Sequence, residues 1–360
     1  MLTLPSRRSI FADDHDAFRD SARRFVTAEI LPHLEDWRLA DGAPRSLVAA
    51  AGEAGFLGTT VPEEFGGGGT DDLGFLAVLI EETIAAGATG VALSWALHAG
   101  VAIPCLVEHG DDADKQRWLP GLASGELIAV PAARGSLTAR DGRLTGTLSC
   151  VPCGRLADVV LVDLGADPDV PGVVVVETGQ PGIRITPIAG NLGAPDAGTA
   201  DIELEAVPLA STTVLPAALC RDLDLWFAVL ALAGARTAIA LALDYVLNRK
   251  VFGRPLAEFE NTRFRLAELA AELASATTYV DQSLTRRAQG VLEVGDAAAA
   301  RLITAGLHDR AVDQGLQLHG GYGYMREYPI AQAFADARLL RLAGQQHSEP
   351  RHALADDLGL

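Results

Sequence analysis

Apolar residues recur every three to four positions from about residue 14 to 122, as in Phe18, Ala22, Phe25, Val26 and Ile30. That spacing predicts helices with one buried face. Residues 62–69 (Pro62, Glu63, Glu64, Phe65 and four glycines) break the rhythm and predict a loop. Helices are expected over 73–86, where Thr70, Asp71 and Asp72 can cap the start, and over 92–109. From about 128 to 215 the period changes. Short β-branched runs at 159–162, 173–176 and 183–185 are separated by Gly and Pro, which predicts short strands in a small sheet or barrel. Asp141 and Gly142 lie between two extended segments and read as a hairpin turn. After Pro216, long Ala- and Leu-rich helices are expected over 223–249, 263–289 and 296–318, with a fourth over 330–342. Their short joints predict an antiparallel bundle. The expected class is α+β and mostly α. It comprises an N-terminal helical domain over 1–126, a middle β-barrel-like domain over 127–215 and a C-terminal four-helix bundle over 216–360.

Composition changes this picture little. The chain has 360 residues, which suits two or three domains, and its 49% hydrophobic and 21% charged residues fit a globular protein. A net charge of −18 argues against a nucleic-acid partner, because phosphate binding needs clustered Lys and Arg. The first residues carry no apolar run of signal-peptide length. The most apolar stretch, 226–243, contains Arg236 and reads as a buried bundle helix rather than a membrane span. The expected location is therefore the cytosol. Four cysteines do not make a disulfide framework. Cys150 and Cys153 form a lone Cys-x-x-Cys without the second ligand pair that zinc needs, so reduced thiols are expected there. His98, His308, His319 and His347 show no metal-ligand spacing, and no metal is expected.

The candidate chemistry lies in the bundle. Residues 249–253 read Arg-Lys-Val-Phe-Gly and follow one expected helix. Residues 317–324 read Gln-Leu-His-Gly-Gly-Tyr-Gly-Tyr and end another. Arg-Glu-Tyr-Pro at 326–329 and Asp-Ala-Arg at 336–338 come next. Arg249 can neutralise a pyrophosphate with its planar fork of donors. Gly320 and Gly321 expose backbone N–H groups and admit a cofactor close to the chain. Gln317, one turn earlier, can donate and accept. Singly, each also fits a solvated helix end or a plain turn.

In order and spacing, these motifs resemble the C-terminal signature of acyl-CoA dehydrogenases. The N-terminal half resembles that family through Pro-Glu-Glu-Phe-Gly-Gly at 62–67 and Leu-Ala-Ser-Gly-Glu at 122–126, so the likeness spans nearly the whole chain. It implies FAD as cofactor, an acyl-CoA substrate, fatty-acid or steroid side-chain β-oxidation, and electron-transferring flavoprotein as acceptor. It also implies a tetramer built as a pair of dimers. In such a tetramer Arg249, Phe252, Gln317, Gly320 and Gly321 would hold the adenosine-diphosphate half of an FAD bound mainly by a neighbouring chain. Glu260 departs from the Gln that the family often has near the adenine.

Other departures fall on the site a subunit builds for itself. Residues 129–136 read Ala-Val-Pro-Ala-Ala-Arg-Gly-Ser, which keeps Pro131, Gly135 and Ser136 but not the family's Thr-Glu before the proline. Cys150, Val151 and Pro152 stand where the family has an aromatic wall and a hydroxyl for the flavin ring, and Pro152 has no N–H. The family's dehydrogenation needs a carboxylate to take the proton α to the thioester. Its usual Glu falls at Gly344, or at Ala343 with a one-residue gap. An alternative position near the start of the first bundle helix falls at Leu223. The flanking Asp222 and Asp224 are the remaining candidates, although adjacent helical residues point about 100° apart and carboxylates also stabilise a first turn. Asp224 replaces an Arg that contacts acyl-CoA in many members. The catalytic residue stays unassigned. Four readings remain open: a subunit of an α2β2 dehydrogenase that completes a homologous partner's FAD site, a homotetramer with a relocated base, a different flavin reaction, and a non-catalytic scaffold.

Overall fold

The computed structural model describes residues 8–165, 167 and 170–360. The N-terminal part is helical: α1 (Asp13–Phe25), α2 (Leu34–Leu39), α3 (Arg45–Glu53), α4 (Gly74–Ala85), α5 (Thr89–Leu97), α6 (Ile103–His109) and α7 (Asp112–Ser124). Acidic Asp13, Asp14 and Asp16 in its first turn and Arg23 and Arg24 in its last match the dipole of α1. Asp111 caps α7 by accepting the Asp114 N–H at 2.8 Å. Gly125 ends that helix at φ +75°, where a Cβ would meet the Val48 carbonyl at 2.3 Å. A π-helical turn, His98–Ala102, joins α5 to α6.

Strands follow as β1 (Ala129–Ala132), β2 (Thr138–Arg140), β3 (Arg143–Val151), β4 (Val159–Asp163), β5 (Val173–Glu177), β6 (Ile183–Pro187), β7 (Ala200–Pro208) and β8 (Thr213–Leu215). Among the described residues they form two open four-stranded sheets, β1-β4-β5-β8 and β2-β3-β7-β6, instead of one closed barrel. In the first sheet β1 runs parallel to β4. Its strands β4 and β5 are buried almost throughout, which is why they read as unbroken valine runs. The β2–β3 hairpin turns at Asp141 (φ +50°) and Gly142 (φ +71°), as the sequence led us to expect.

The C-terminal part holds α8 (Cys220–Asn248), a hairpin of β9 (Lys250–Val251) and β10 (Arg254–Pro255), α9 (Glu260–Ala288), α10 (Val294–His319), α11 (Pro329–His347) and α12 (Pro350–Asp357). Helix α8 packs on α9, α10 and α11 and also on α4 and α5, so it is apolar nearly all round. The segments Thr89–His109 and Cys220–Asn248 are long and apolar enough to cross a membrane, but 89% and 78% of their most apolar windows are buried inside the fold.

Polar ties lock the three parts together. Arg8 bonds Asp281 of α9 at 2.5 Å and Glu81 of α4 at 3.0 Å. Arg45 of α3 grips Asp158 through two bonds of 2.7 and 2.8 Å. The turn Pro195–Ala197 places Asp196 to accept the Val91 N–H of α5 at 2.9 Å, while Asp336 of α11 accepts the Ala194 N–H at 2.7 Å. The Asp-Ala-Arg motif therefore anchors the middle region to the bundle.

Candidate functional site

The motif residues of the bundle meet at one end of α8 and α10. Helix α8 stops at Asn248 because Arg249 turns extended (φ −79°, ψ 122°) to enter the β9–β10 hairpin. Helix α10 stops where Gly320 takes φ +58°. Between these ends lies an open cleft of about 460 Å³ whose walls include Arg249, Gly320, Gly321, Tyr322 and Glu327. A Cβ on Gly320 or Gly321 would meet no atom within 4 Å, so the backbone there faces free space. The Arg249 guanidinium lies 5.3 Å from the centre of the Tyr322 ring and makes no ion pair among the described residues. The Gly320 N–H is not free, because it donates to the Gln317 carbonyl at the helix end. What fits a diphosphate here is the exposed cation beside open glycine backbone, not two bare N–H groups as the sequence led us to expect.

The floor of the cleft is aromatic. Tyr245 stacks on His319 at 4.0 Å, and its hydroxyl donates to the His319 carbonyl at 3.2 Å. The His319 Nδ1 lies 2.7 Å from the Gly315 carbonyl, so that nitrogen carries the proton. Burial pushes the imidazole below its ordinary pKa and keeps it uncharged near neutrality. Gln317 and Phe252 lie exposed beside the cleft rather than in its wall, Phe252 at 92% exposure and φ +52°. Glu260 is exposed at the start of α9. Sequence reasoning passed over Tyr322 and His319. The one signal for them was the cluster of aromatic residues inside the motif at 317–324.

A second cavity of about 370 Å³ lies where the ends of β1 and β4 face the start of α8 and the end of α11. Arg134, Gly135, Leu223 and His347 line it. Beside it, the position of the usual base is filled by a neighbour. Gly344 is buried, and a Cβ there would come within 2.6 Å of an Arg301 Nη2. Arg301, 5% exposed, donates to Asp224 at 2.6 Å and to the Ser348 hydroxyl at 2.7 Å. Asp224 is 1% exposed, and its carboxylate also accepts from Ser348 at 2.6 Å. It points at Arg301, inside the bundle. Asp222 accepts two bonds from Arg287, at 2.6 and 2.9 Å, and two from Arg221, at 3.1 and 3.3 Å. Ala343 is buried and inert. The candidates Asp222 and Asp224 are thus placed in separate ion-pair networks.

The segments expected to hold a flavin ring offer little to one. The Cys150 N–H donates to Asp201 at 2.8 Å, and the Ser136 hydroxyl accepts the Thr147 N–H at 2.9 Å. Arg134 is tied to Asp167 at 2.6 Å. Below them, Gly100 admits the Trp226 indole so closely that a Cβ would lie 2.5 Å from its Nε1. The Cys153 thiol is buried and pushed up to about 12, chiefly by desolvation, which leaves it unreactive. His98 is buried between α7 and β1, near the carbonyls of Leu122 and Ala129, and His308 is buried against Gly234.

Comparison with known proteins gives the same architecture a family context. The family model "Acyl-CoA dehydrogenase, N-terminal domain" matches residues 12–126, and "Acyl-CoA dehydrogenase, C-terminal domain" matches residues 225–344. The mitochondrial long-chain specific acyl-CoA dehydrogenase of Mus musculus is 30% identical over 95% of this chain and 86% of its own length. The crystal structure of an acyl-CoA dehydrogenase from Geobacillus kaustophilus superposes with a TM-score of 0.89 at 29% identity, over 98% of this chain and all of that one. A glutaryl-CoA dehydrogenase from Mycobacterium smegmatis in complex with FADH2 shares the fold, with a TM-score of 0.83 at 20% identity over 97% of this chain and 95% of that one.

Proposed function

The chain belongs to the acyl-CoA dehydrogenase family, and from that premise we propose that it is the lending subunit of a heteromeric, FAD-dependent acyl-CoA dehydrogenase. One contrast carries this reading. At the chain's own site the base position is a glycine whose side-chain space holds Arg301, while at the lending cleft Arg249 stands exposed without a counter-ion among the described residues. A self-sufficient enzyme needs the first site. A subunit that completes a partner's site needs only the second.

Bound FAD would supply the hydride acceptor for the β carbon of an acyl thioester. In this reading the residues of this chain bind and orient. Arg249 would neutralise diphosphate charge, the open backbone at Gly320 and Gly321 would let the ligand approach closely, and the aromatic floor would exclude water. Phe252 and Gln317, beside the cleft, extend the contact across the interface. The α proton would be taken by a carboxylate of the homologous partner, which also supplies the ring pocket. Electron-transferring flavoprotein as acceptor and a cytosolic location belong to the same proposal.

A homotetramer with a relocated base would need one at the second cavity, whose lining includes Asp163, already accepting the Gly165 and Leu219 N–H groups, and His347. Burial first, and then the Arg301 charge, push that imidazole down to about 4, too weak a base for an α proton at neutral pH.

The test is the flavin content and mass of the chain purified alone and then co-expressed with its nearest genomic dehydrogenase neighbour. A colourless lone chain that becomes a tetramer with about two FAD per four chains supports the proposal. A lone tetramer with one FAD per chain overturns it.

A further inference from the structure

An exposed arginine usually settles on the nearest carboxylate. At the lending cleft, Glu327 lines the same walls and Asp244 lies one turn back on α8, yet Arg249 pairs with neither. Asp244 is instead taken by Asn248, which donates to it at 3.2 Å. The guanidinium rests against the Tyr322 ring, 5.3 Å from its centre. That ring is braced from behind. Tyr322 packs on Tyr328 at 5.2 Å, and Tyr328 meets His319 at 5.9 Å and Tyr245 at 6.2 Å, both edge-on. Tyr322 sits on the 3-10 turn Gly320–Tyr324 and Arg249 at the end of α8, so their contact bridges the two halves of the cleft.

We propose that Tyr322 is the positioning residue for Arg249, holding the guanidinium over the cleft by its ring face so that an incoming diphosphate meets a fixed and un-neutralised charge. The inference rests on reading this cleft as a nucleotide-diphosphate site. A ring face attracts a cation without consuming its charge. A carboxylate partner would have to be displaced by the phosphate, whereas the ring contact persists while the planar fork bonds the ligand edge-on. The shelf adds no competing charge, because burial keeps His319 neutral. Fixing the long side chain beforehand also lowers the ordering cost of binding.

The experiment titrates the assembly formed with the co-expressed partner, stripped of its flavin, with FAD and separately with ADP by calorimetry. It compares Tyr322→Phe and Tyr322→Leu with the parent. Tyr322→Phe keeps the ring face and should bind both ligands as the parent does. Tyr322→Leu should weaken both to a similar extent, by roughly 2- to 5-fold, the worth of an exposed cation–ring contact. Its melting temperature should stay close to the parent's, since the side chain is 45% exposed. Unchanged affinity in Tyr322→Leu overturns the proposal. Equal losses in the two variants also overturn it, because the hydroxyl would then be what matters. If the parent takes up neither ligand, the reading of the cleft itself falls.

Discussion

Gly344, where the family resemblance put the usual base, is packed shut. The sequence revealed that no carboxylate stands there. It did not reveal that the space is taken by Arg301, which reaches over from another helix and is held by Asp224 and Ser348. Gly344 and Asp224, which read separately as losses, belong to one packed unit around Arg301. Removing a single partner of such a buried pair leaves an uncompensated charge, so Asp224→Ala should destabilise the protein by about 3–5 kcal/mol. Arg301→Leu in the same background should recover part of that loss. Denaturant melts of the two single variants and the double variant check this, and simple additivity would show that the pair does not act as a unit. Gly344→Ala should also lower the melting temperature, because the added methyl meets an anchored guanidinium and not a free one. The lending cleft was more legible. Arg249, Gly320 and Gly321 were readable from short motifs, whereas the bond partners of Asp222 and Asp224 lie on distant helices that periodicity cannot bring together.

At the scale of elements, helical periodicity located α4, α8, α9 and α10 to within about three residues, and the start of α11, because α9, α10 and α11 each turn one face to the core. It ended α11 five residues early and did not separate α1 and α7 from the helical stretch around them. Sheet pairing was not legible. The union of β1 with β4 in parallel and of β8 with β5 depends on partners far apart in sequence, and valine runs carry no register. Equally hidden was the wedge Pro195–Ala197, whose Asp196 is 2% exposed between α5 and α11. Burial, and then the nearby Asp336 charge, push Asp196 up to about 6, with Arg38 opposing. Asp336 is raised as well, chiefly by burial. A carboxyl raised in the fold binds its proton more tightly folded than unfolded. Its stabilising contribution is complete below the unfolded value of 3.8 and is lost as pH climbs through about 6. Asp196→Asn can still accept the Val91 N–H but cannot ionise. The variant should therefore melt higher than the parent at pH 8, and the advantage should vanish near pH 4. An advantage of the same size at both pH values would mean that the titration of Asp196 does not couple to this junction.

At the scale of the whole molecule, the N-terminal helices are tied to the bundle that carries the cleft by Arg8, Arg19, Glu81 and Asp281. Its rim is odd for a free surface. Phe252 and Gly253 form the two-residue turn of the β9–β10 hairpin, both at positive φ, +52° and +82°. Asn-Gly is the pair such a turn prefers. A phenylalanine in left-handed backbone costs about 1 kcal/mol or more, and at 92% exposure its ring gains nothing within the chain to offset that. The strain makes sense if the ring is buried against a second chain and its cofactor. Phe252→Asn separates the two contributions. It should stabilise the dilute, unassembled chain by about 1 kcal/mol through relief of the turn. In the assembly it should lower the flavin retained per chain and shift sedimentation toward smaller species. Stabilisation with the assembly and its flavin unaltered would leave the exposed ring without a partner to explain it. Loss of flavin together with a higher melting temperature would show that this surface gives up stability of its own chain for the site it completes in another.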